Sequence, residues 1–353
     1  MTDKYIINWE LSLACNLDCS FCSQKERRNL NNKIPSLENI YQIIDNLPNN
    51  THISFLGGET LMLPNIIDIF KKLEERGISY EITTNGILLD KFFGVVMNNP
   101  TLNSLPKIRE GGYNKIEQLK HLTQINISID GYGDFHDISR GKKGLFNKLK
   151  KVIPELINIK NITISTVISP NLTNENIVKL HLWLNSIGIK EHKLIYMMNF
   201  SKIDVENSKN KIKELKIGLP GSEKLDNNVL KNNFLEKLSL LKNLGNNNPS
   251  LYSFPKIREG GYKKIQITIE PIALFKKGKI SCKQLDKQLR IDENGKLSIC
   301  EFITNNFDDI SKIKLNDAIK NNDFIEFKKA IKSNFPLDIC KTCCKLYNEN
   351  SSN

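Results

Sequence analysis

The first two hundred residues alternate short β-rich runs with amphipathic stretches, and this alternation constrains the fold more than any other feature. The pattern predicts strands over Ile6–Leu13, His52–Phe55, Tyr80–Thr83, Ile125–Ile129, Ile162–Ile168 and His192–Met197. Between them it predicts helices around Leu37–Asn46, Ile66–Arg76, Leu88–Met97, Leu145–Leu156 and Asn174–Ser186. Ser36 with Asn39, and Thr173, read as helix starts; Gly77 and Gly188 read as stops. Six βα units in series require a parallel sheet with right-handed crossovers. The expected fold is therefore α/β, a partial (β/α)6 TIM-like barrel spanning residues 1–200. In such barrels the chemistry sits at the C-terminal ends of the strands.

Residues 201–263 are polar and rich in Lys and Asn, and read as a helical linker or insertion. From residue 264 to 353 short strands and turns take over, as in a small C-terminal α+β domain. One segment is repeated. Asn98–Ile116 reads NNPTLNSLPKIREGGYNKI and Asn247–Ile265 reads NNPSLYSFPKIREGGYKKI. Each copy opens on Asn-Asn-Pro and carries Gly-Gly, which are loop signals. Loops tolerate added length well, so the repeat reads as an in-frame insertion placed twice, against the alternative of two matching clamps on a substrate.

The eight cysteines narrow the function. Three lie within residues 15–22 and five between 282 and 344. A secreted disulfide framework would spread its pairs through a smaller chain. Two thiol clusters with a cysteine-free span between them read instead as metal or iron–sulfur ligation. The formal charge of +12 could signal an anionic partner. The lysines are scattered, however, and accompany abundant Asn and Ile as AT-rich codons would produce, so nucleic acid is not the expected partner. No run has the length of a membrane span, and the N-terminus has no apolar signal core, so a cytoplasmic location without membrane partners is expected.

Cys15-Asn-Leu-Asp-Cys19-Ser-Phe-Cys22 sets three thiols on one short loop directly after the first predicted strand. Protein thiolates usually fill all four iron corners of a [4Fe–4S] cube, so three at tight spacing leave one iron open. Zinc would want a fourth ligand nearby, and no His or Cys follows before His52. The CxxxCxxC spacing resembles the signature of the radical S-adenosylmethionine (SAM) superfamily. That resemblance implies a cluster on Cys15, Cys19 and Cys22 whose open iron binds SAM and whose electron splits it to a 5′-deoxyadenosyl radical.

Further motifs stand in the family's order. Phe21 matches an aromatic expected near the adenine. Gly57-Gly58-Glu59 resembles the motif that binds the methionine ammonium: glycines let the backbone approach closely, and the carboxylate accepts from a cationic amine. Asn85 stands in a Thr-Asn-Gly that ends the third strand. Ser128 and Asp130, in Ser-Ile-Asp-Gly, are candidates for ribose contacts, and Arg140 for the SAM carboxylate or the substrate.

The second group runs Cys282, Gly295, Cys300, then Cys340-Lys-Thr-Cys343-Cys344. A tight turn at Asp292–Gly295 folds a hairpin that brings Cys282 and Cys300 together, and CxxC adds two thiols. Four cysteines so arranged resemble the twitch domain, a shortened SPASM domain, which implies one auxiliary [4Fe–4S] cluster on Cys282, Cys300, Cys340 and Cys343. A zinc ribbon is the competing reading. Cys344 is one thiol too many for either.

Relatives of this type most often modify peptides or proteins. The resemblance thus implies hydrogen abstraction from a peptide or protein, an oxidation or cross-link, with a ferredoxin or flavodoxin as reductant. The alternatives are a small-molecule dehydrogenase of the twitch type and a non-enzymatic zinc or iron–sulfur protein. Many peptide-modifying members carry a leader-binding domain before the barrel. Here the first strand starts by residue 6, so a separate protein or the polar stretch 201–250 would have to recognise a leader.

Overall fold

The computed structural model describes residues 4–30, 34–93, 118–197, 201–212, 214–217, 227–244, 265–270, 280–282, 285, 288–343 and 346–348. Both copies of the repeat, Ile265 excepted, and Cys344 lie outside these residues.

Six parallel strands form in the expected order: β1 (Tyr5–Ser12), β2 (Thr51–Gly57), β3 (Ser79–Thr84), β4 (Leu122–Ser128), β5 (Ile162–Ile168) and β6 (Glu191–Tyr196). The helices that cross between them include α1 (Lys25–Leu30), α2 (Leu37–Asn46), α3 (Ile66–Arg76), α4 (Leu89–Phe93), α5 (Asp134–Arg140), α6 (Leu145–Leu156) and α7 (Asn174–Ser186). Their ends follow local chemistry. The Ser36 and Thr173 hydroxyls accept from the main-chain N–H groups of Asn39 and Asn176. Gly77 closes α3 in the left-handed region at φ 63°.

Alternation along each strand divides the sheet into two faces. Trp9, Phe55 and Tyr80 point to one side, where Phe70 of α3 joins them at ring distances of 5.1–6.4 Å. Ile66, Ile69, Phe70 and Leu73 of α3 are all buried there, each worth about 1.5–3 kcal/mol. The other face is polar. Asn8 and Glu10 stand on it in β1, and Ser54 donates to Glu81 at 2.6 Å between β2 and β3. Thr163 and a residue of the next strand, Thr268, both donate to Glu191, at 2.8 and 2.7 Å. Branched apolar layers fill a closed TIM barrel, whereas this open sheet keeps a hydrophilic hollow.

Both edges of the barrel sheet extend further than the sequence pattern suggests. After α8 (Lys202–Lys211) and α9 (Asn227–Leu244), β7 (Gln266–Glu270) adds to β6 in parallel, although the sequence assigns it to the C-terminal part. After β8 (Ile280–Cys282), β9 (Gln288–Ile291) adds in parallel to β1 and turns back antiparallel into β10 (Leu297–Ser298). The predicted turn is there: Gly295 sits at φ 77° and its N–H donates to Asp292 at 3.0 Å. The resulting order is β10-β9-β1-β2-β3-β4-β5-β6-β7, an open nine-stranded partial barrel. β11 (Leu346–Asn348) pairs separately with β8. A cavity of about 960 Å³, lined by Tyr5, Ile6 and Leu289 among others, opens at the N-terminal ends of β1 and β9, away from the chemistry expected at the C-terminal ends. Among the described residues no helix is long and apolar enough to cross a membrane.

Candidate iron–sulfur and SAM site

The three N-terminal cysteines leave the end of β1 on a loop pinned from below by β2. Gly58 N–H donates to Ser12 O and Glu59 N–H to Ala14 O, both at 2.8 Å. A Cβ on Gly57 would lie 2.3 Å from Ser12 O, and one on Gly58 would lie 2.0 Å from Ala14 O. The glycines thus answer a different neighbour from the one expected. They admit the main chain of the cysteine loop itself, and Gly57 also needs its φ of 113°.

Glu59 is 2 % exposed and spans the next gap in the barrel mouth. One carboxylate oxygen accepts from Thr84 Oγ1 at 2.7 Å and Leu61 N–H at 3.2 Å; the other accepts from Asn85 N–H at 2.7 Å. Burial pushes its pKa up, and these donors pull it back. Three donors leave part of the acceptor capacity of the carboxylate unfilled, on the oxygen that only Asn85 N–H meets. Asn85 then reaches back to the loop, its Nδ2 lying 2.8 Å from Asn16 Oδ1 and 3.8 Å from Cys15 Sγ.

From the opposite side of the mouth, Arg140 approaches the same loop. Its Nη1 lies 3.9 Å from Cys19 Sγ and its guanidinium 5.4 Å from the centre of the Phe21 ring. Its Nε is paired with Asp130, whose other oxygen accepts from Val167 N–H at 3.0 Å. Asp130, a candidate for the ribose, has a carboxylate 1 % exposed that pairs with Arg140 and with the main chain of β5. Ser128 stands half-buried at the end of β4, in register with Ser165 of β5.

Burial governs the protonation of the Cys15 and Cys19 thiols. Burial pushes Cys19 up to about 11 against the pull of Arg140, and it raises Cys15 as well. At neutral pH such groups stay protonated unless a metal takes the proton's place. Two N–H donors directed at sulfur, from Asn85 and Arg140, then stabilise thiolate charge.

The second group is built comparably. Cys300 is pushed up to about 12, first by burial and then by the nearby Cys282; Cys340 is raised by burial and then by Cys300 and Cys282. Those three thiols therefore lie within electrostatic reach of one another. Phe302 N–H donates to Cys300 Sγ at 3.4 Å, and Cys343 N–H to Cys340 O at 3.0 Å, which places the buried Cys343 one turn away. Among the described residues no three His, Cys, Asp or Glu side chains close on one point tightly enough for a single metal ion.

Several residues of this site had no motif to announce them. Glu10, with no exposure at all, accepts from Arg290 at 2.6 Å, Arg27 at 2.9 Å and Gln24 at 3.0 Å. Burial pushes its pKa up, but the two guanidinium groups outweigh burial and hold the carboxyl below its ordinary value. Arg27 continues to Glu293 at 2.7 Å. The only signal was a carboxylate in the middle of the apolar Trp9-Glu10-Leu11 run.

A parallel partial barrel with a cysteine triad at the C-terminal end of its first strand defines an iron–sulfur enzyme class. Residues 9–184 match the profile of the Radical SAM superfamily, and the chain belongs to that superfamily. The family implies a [4Fe–4S] cluster and SAM, and the donors around Cys15, Cys19 and Cys22 fit both. The Fe-coproporphyrin III synthase of Methanosarcina barkeri is 28% identical over 147 residues, 41% of this chain and 32% of that protein. A probable GTP 3',8-cyclase of Methanococcus maripaludis is 29% identical over 171 residues, 45% of this chain and 49% of that protein. The matched region thus spans half or less of these relatives. Streptococcus suis SuiB bound to precursor peptide SuiA superposes with a TM-score of 0.64 at 14% identity, over 98% of this chain and 72% of that one. Native anSMEcpe with bound AdoMet and Cp18Cys peptide gives 0.60 at 16%, over 97% and 89%. At such identity the likeness is one of fold.

Proposed function

We propose that this radical SAM enzyme oxidatively modifies a peptide or protein, using a second [4Fe–4S] cluster held by Cys282, Cys300, Cys340 and Cys343. The observation that carries this reading is the pairing of β8 with β11, which sets Cys282 opposite Leu346, three residues after the buried Cys343, on segments joined through β9 to the edge of the barrel beside β1. Two structures of similar fold, SuiB and anSMEcpe, hold bound peptides, which supports a peptide here. Bound at the two thiol groups, the clusters with SAM supply a 5′-deoxyadenosyl radical and an electron acceptor; a ferredoxin or flavodoxin of the cytoplasm is the proposed reductant.

The residues divide the remaining tasks. Glu59 offers the methionine ammonium of SAM its free acceptor capacity. Phe21 flanks the adenine, and Ser128 meets the ribose. Arg140 keeps positive charge against Cys19. The polar hollow behind them offers a hydrophilic substrate main-chain and side-chain hydrogen bonds.

The test is to incubate the reconstituted enzyme, SAM and a low-potential reductant with candidate peptides, including any short peptide found encoded beside its gene. A peptide product lighter by two hydrogens, absent with Cys300→Ala, supports the reading. The activities of the curated relatives favour a second reading, a small-molecule reaction. Unmodified peptides alongside turnover of a small metabolite would establish that one instead.

A further inference from the structure

Two buried side chains grip a single peptide bond at the end of β4. The Ile129 carbonyl accepts from Thr166 Oγ1 at 2.5 Å, and the N–H of the same peptide unit, on Asp130, donates to His136 Nδ1 at 3.1 Å. An N–H donor facing Nδ1 requires a lone pair there, so His136 is neutral and carries its proton on Nε2. His136 has no exposed surface, and burial lowers its pKa to about 4. The charged groups facing it are Asp130, Arg140 and Asp137. Its Nε2 finds no hydrogen-bond partner among the described residues, so the ring is held at a cost and its one polar contact is with Asp130 N–H. The neighbouring Asp137 does different work: it accepts from the Phe146 N–H at 2.8 Å and from the Gly144 N–H, capping α6.

The side chain of Asp130 carries this grip to the cysteine loop. Its carboxylate is the partner of Arg140, and Arg140 is the cation against Cys19 Sγ and Phe21. We infer that His136 is a positioning residue for the SAM-binding cluster: through the Asp130 main chain it holds Arg140 against the Cys19 sulfur and thereby raises the reduction potential of the cluster. A guanidinium beside a ligand sulfur favours the more negative, reduced state, and hydrogen bonds to the sulfurs act in the same direction. His136 touches neither the sulfur nor any substrate; its effect is carried wholly by residues 130 and 140.

The inference rests on the cluster reading, and the test separates the two. The midpoint potential of the N-terminal cluster is measured by EPR-monitored titration of anaerobically reconstituted protein without SAM, with iron content measured alongside. Asparagine sets an amide oxygen near the Nδ1 position, whereas glutamine sets its amide near Nε2. His136→Asn therefore keeps the wild-type potential, and His136→Gln shifts it to a lower value in the same direction as Arg140→Met. Both polar variants suit the buried site comparably, so a general loss of folding would not separate them. Equal potentials for His136→Asn and His136→Gln, whether both unchanged or both shifted, overturn the inference while leaving the cluster in place. A wild-type protein without a [4Fe–4S] signal overturns both.

Discussion

Glu10 and Arg290 meet at 2.6 Å although 280 residues separate them, and neither side chain is more than 1 % exposed. The pair joins β1, which delivers the cysteine loop, to β9, whose hairpin leads to Cys300. Arg27, on the helix just after Cys22, completes it at 2.9 Å. Two guanidinium groups against one buried carboxylate leave the Nε and Nη1 donors of Arg290 without partners among the described residues.

Breaking such a pair strands a buried charge. Arg290→Met should destabilise the protein by about 3–5 kcal/mol in denaturant unfolding. The double variant Glu10→Leu with Arg290→Met should recover much of that loss, because both charges then leave the interior together. Strictly additive costs would show that the two groups do not act as a pair.

The crowding at Gly58, beside the cysteine loop, contrasts with the open surroundings of Gly144. Gly58→Ala brings a Cβ to 2.0 Å from Ala14 O, so it should expel the loop and abolish iron binding at the N-terminal site. Gly144→Ala, at φ 81° with nothing within 4 Å, should cost only about 1–2 kcal/mol of stability and keep its iron. Iron per chain and melting temperature measured on both variants check the contrast.

Acid should weaken the fold through a buried pair of histidines. His181 and His192 share a hydrogen bond between their Nδ1 atoms at 3.1 Å, and His192 Nε2 meets Thr166 at 2.9 Å. Because Thr166 donates to Ile129 O, His192 donates from Nε2 and accepts at Nδ1 from His181. The His192 ring is thus neutral. Burial lowers His181 to about 4, and burial with His181 lowers His192 well below its usual value. The unfolded chain therefore takes up protons first. Stability should be level above about pH 6.5 and fall toward pH 4, by up to about 1.4 kcal/mol per pH unit for each histidine. Melting temperatures from pH 7 to 5 test this, and His181→Phe should flatten the slope.

Removing one thiol from each group should separate the two sites. Wild-type protein should hold about eight irons, from two four-iron clusters, and Cys300→Ala about four while still cleaving SAM. Loss of SAM cleavage with Cys300→Ala would show that the second group serves the first step.

Much of the barrel was legible because its signals are local. The Leu37–Asn46, Ile66–Arg76, Leu145–Leu156 and Asn174–Ser186 helices begin and end where their caps and periodicity place them. The Ile162–Ile168 strand does too, since a run of β-branched residues marks it. The motif residues also converge: Cys15, Cys19, Phe21, Glu59, Asn85 and Arg140 meet at one mouth of the sheet.

Pairing at long range was hidden from the sequence. Nothing in Gln288–Ile291 says that it will lie beside β1, or in Gln266–Glu270 that it will extend β6, because the partners are far away along the chain. The same limit explains the individual residues. Asp130 reads as a free polar group until Arg140 and Val167 are folded against it. Gly57 and Gly58 read as ligand-facing until Ser12 and Ala14 are found beneath them.

The central claim, that Cys15, Cys19 and Cys22 hold a cluster that cleaves SAM, is tested most directly by one assay. Anaerobically purified protein is reduced with dithionite in the presence of SAM, and 5′-deoxyadenosine is quantified against the Cys19→Ala variant. The expected result is 5′-deoxyadenosine from the wild type and none from the variant. Stoichiometric zinc with no 5′-deoxyadenosine, or equal yields from both proteins, would contradict it.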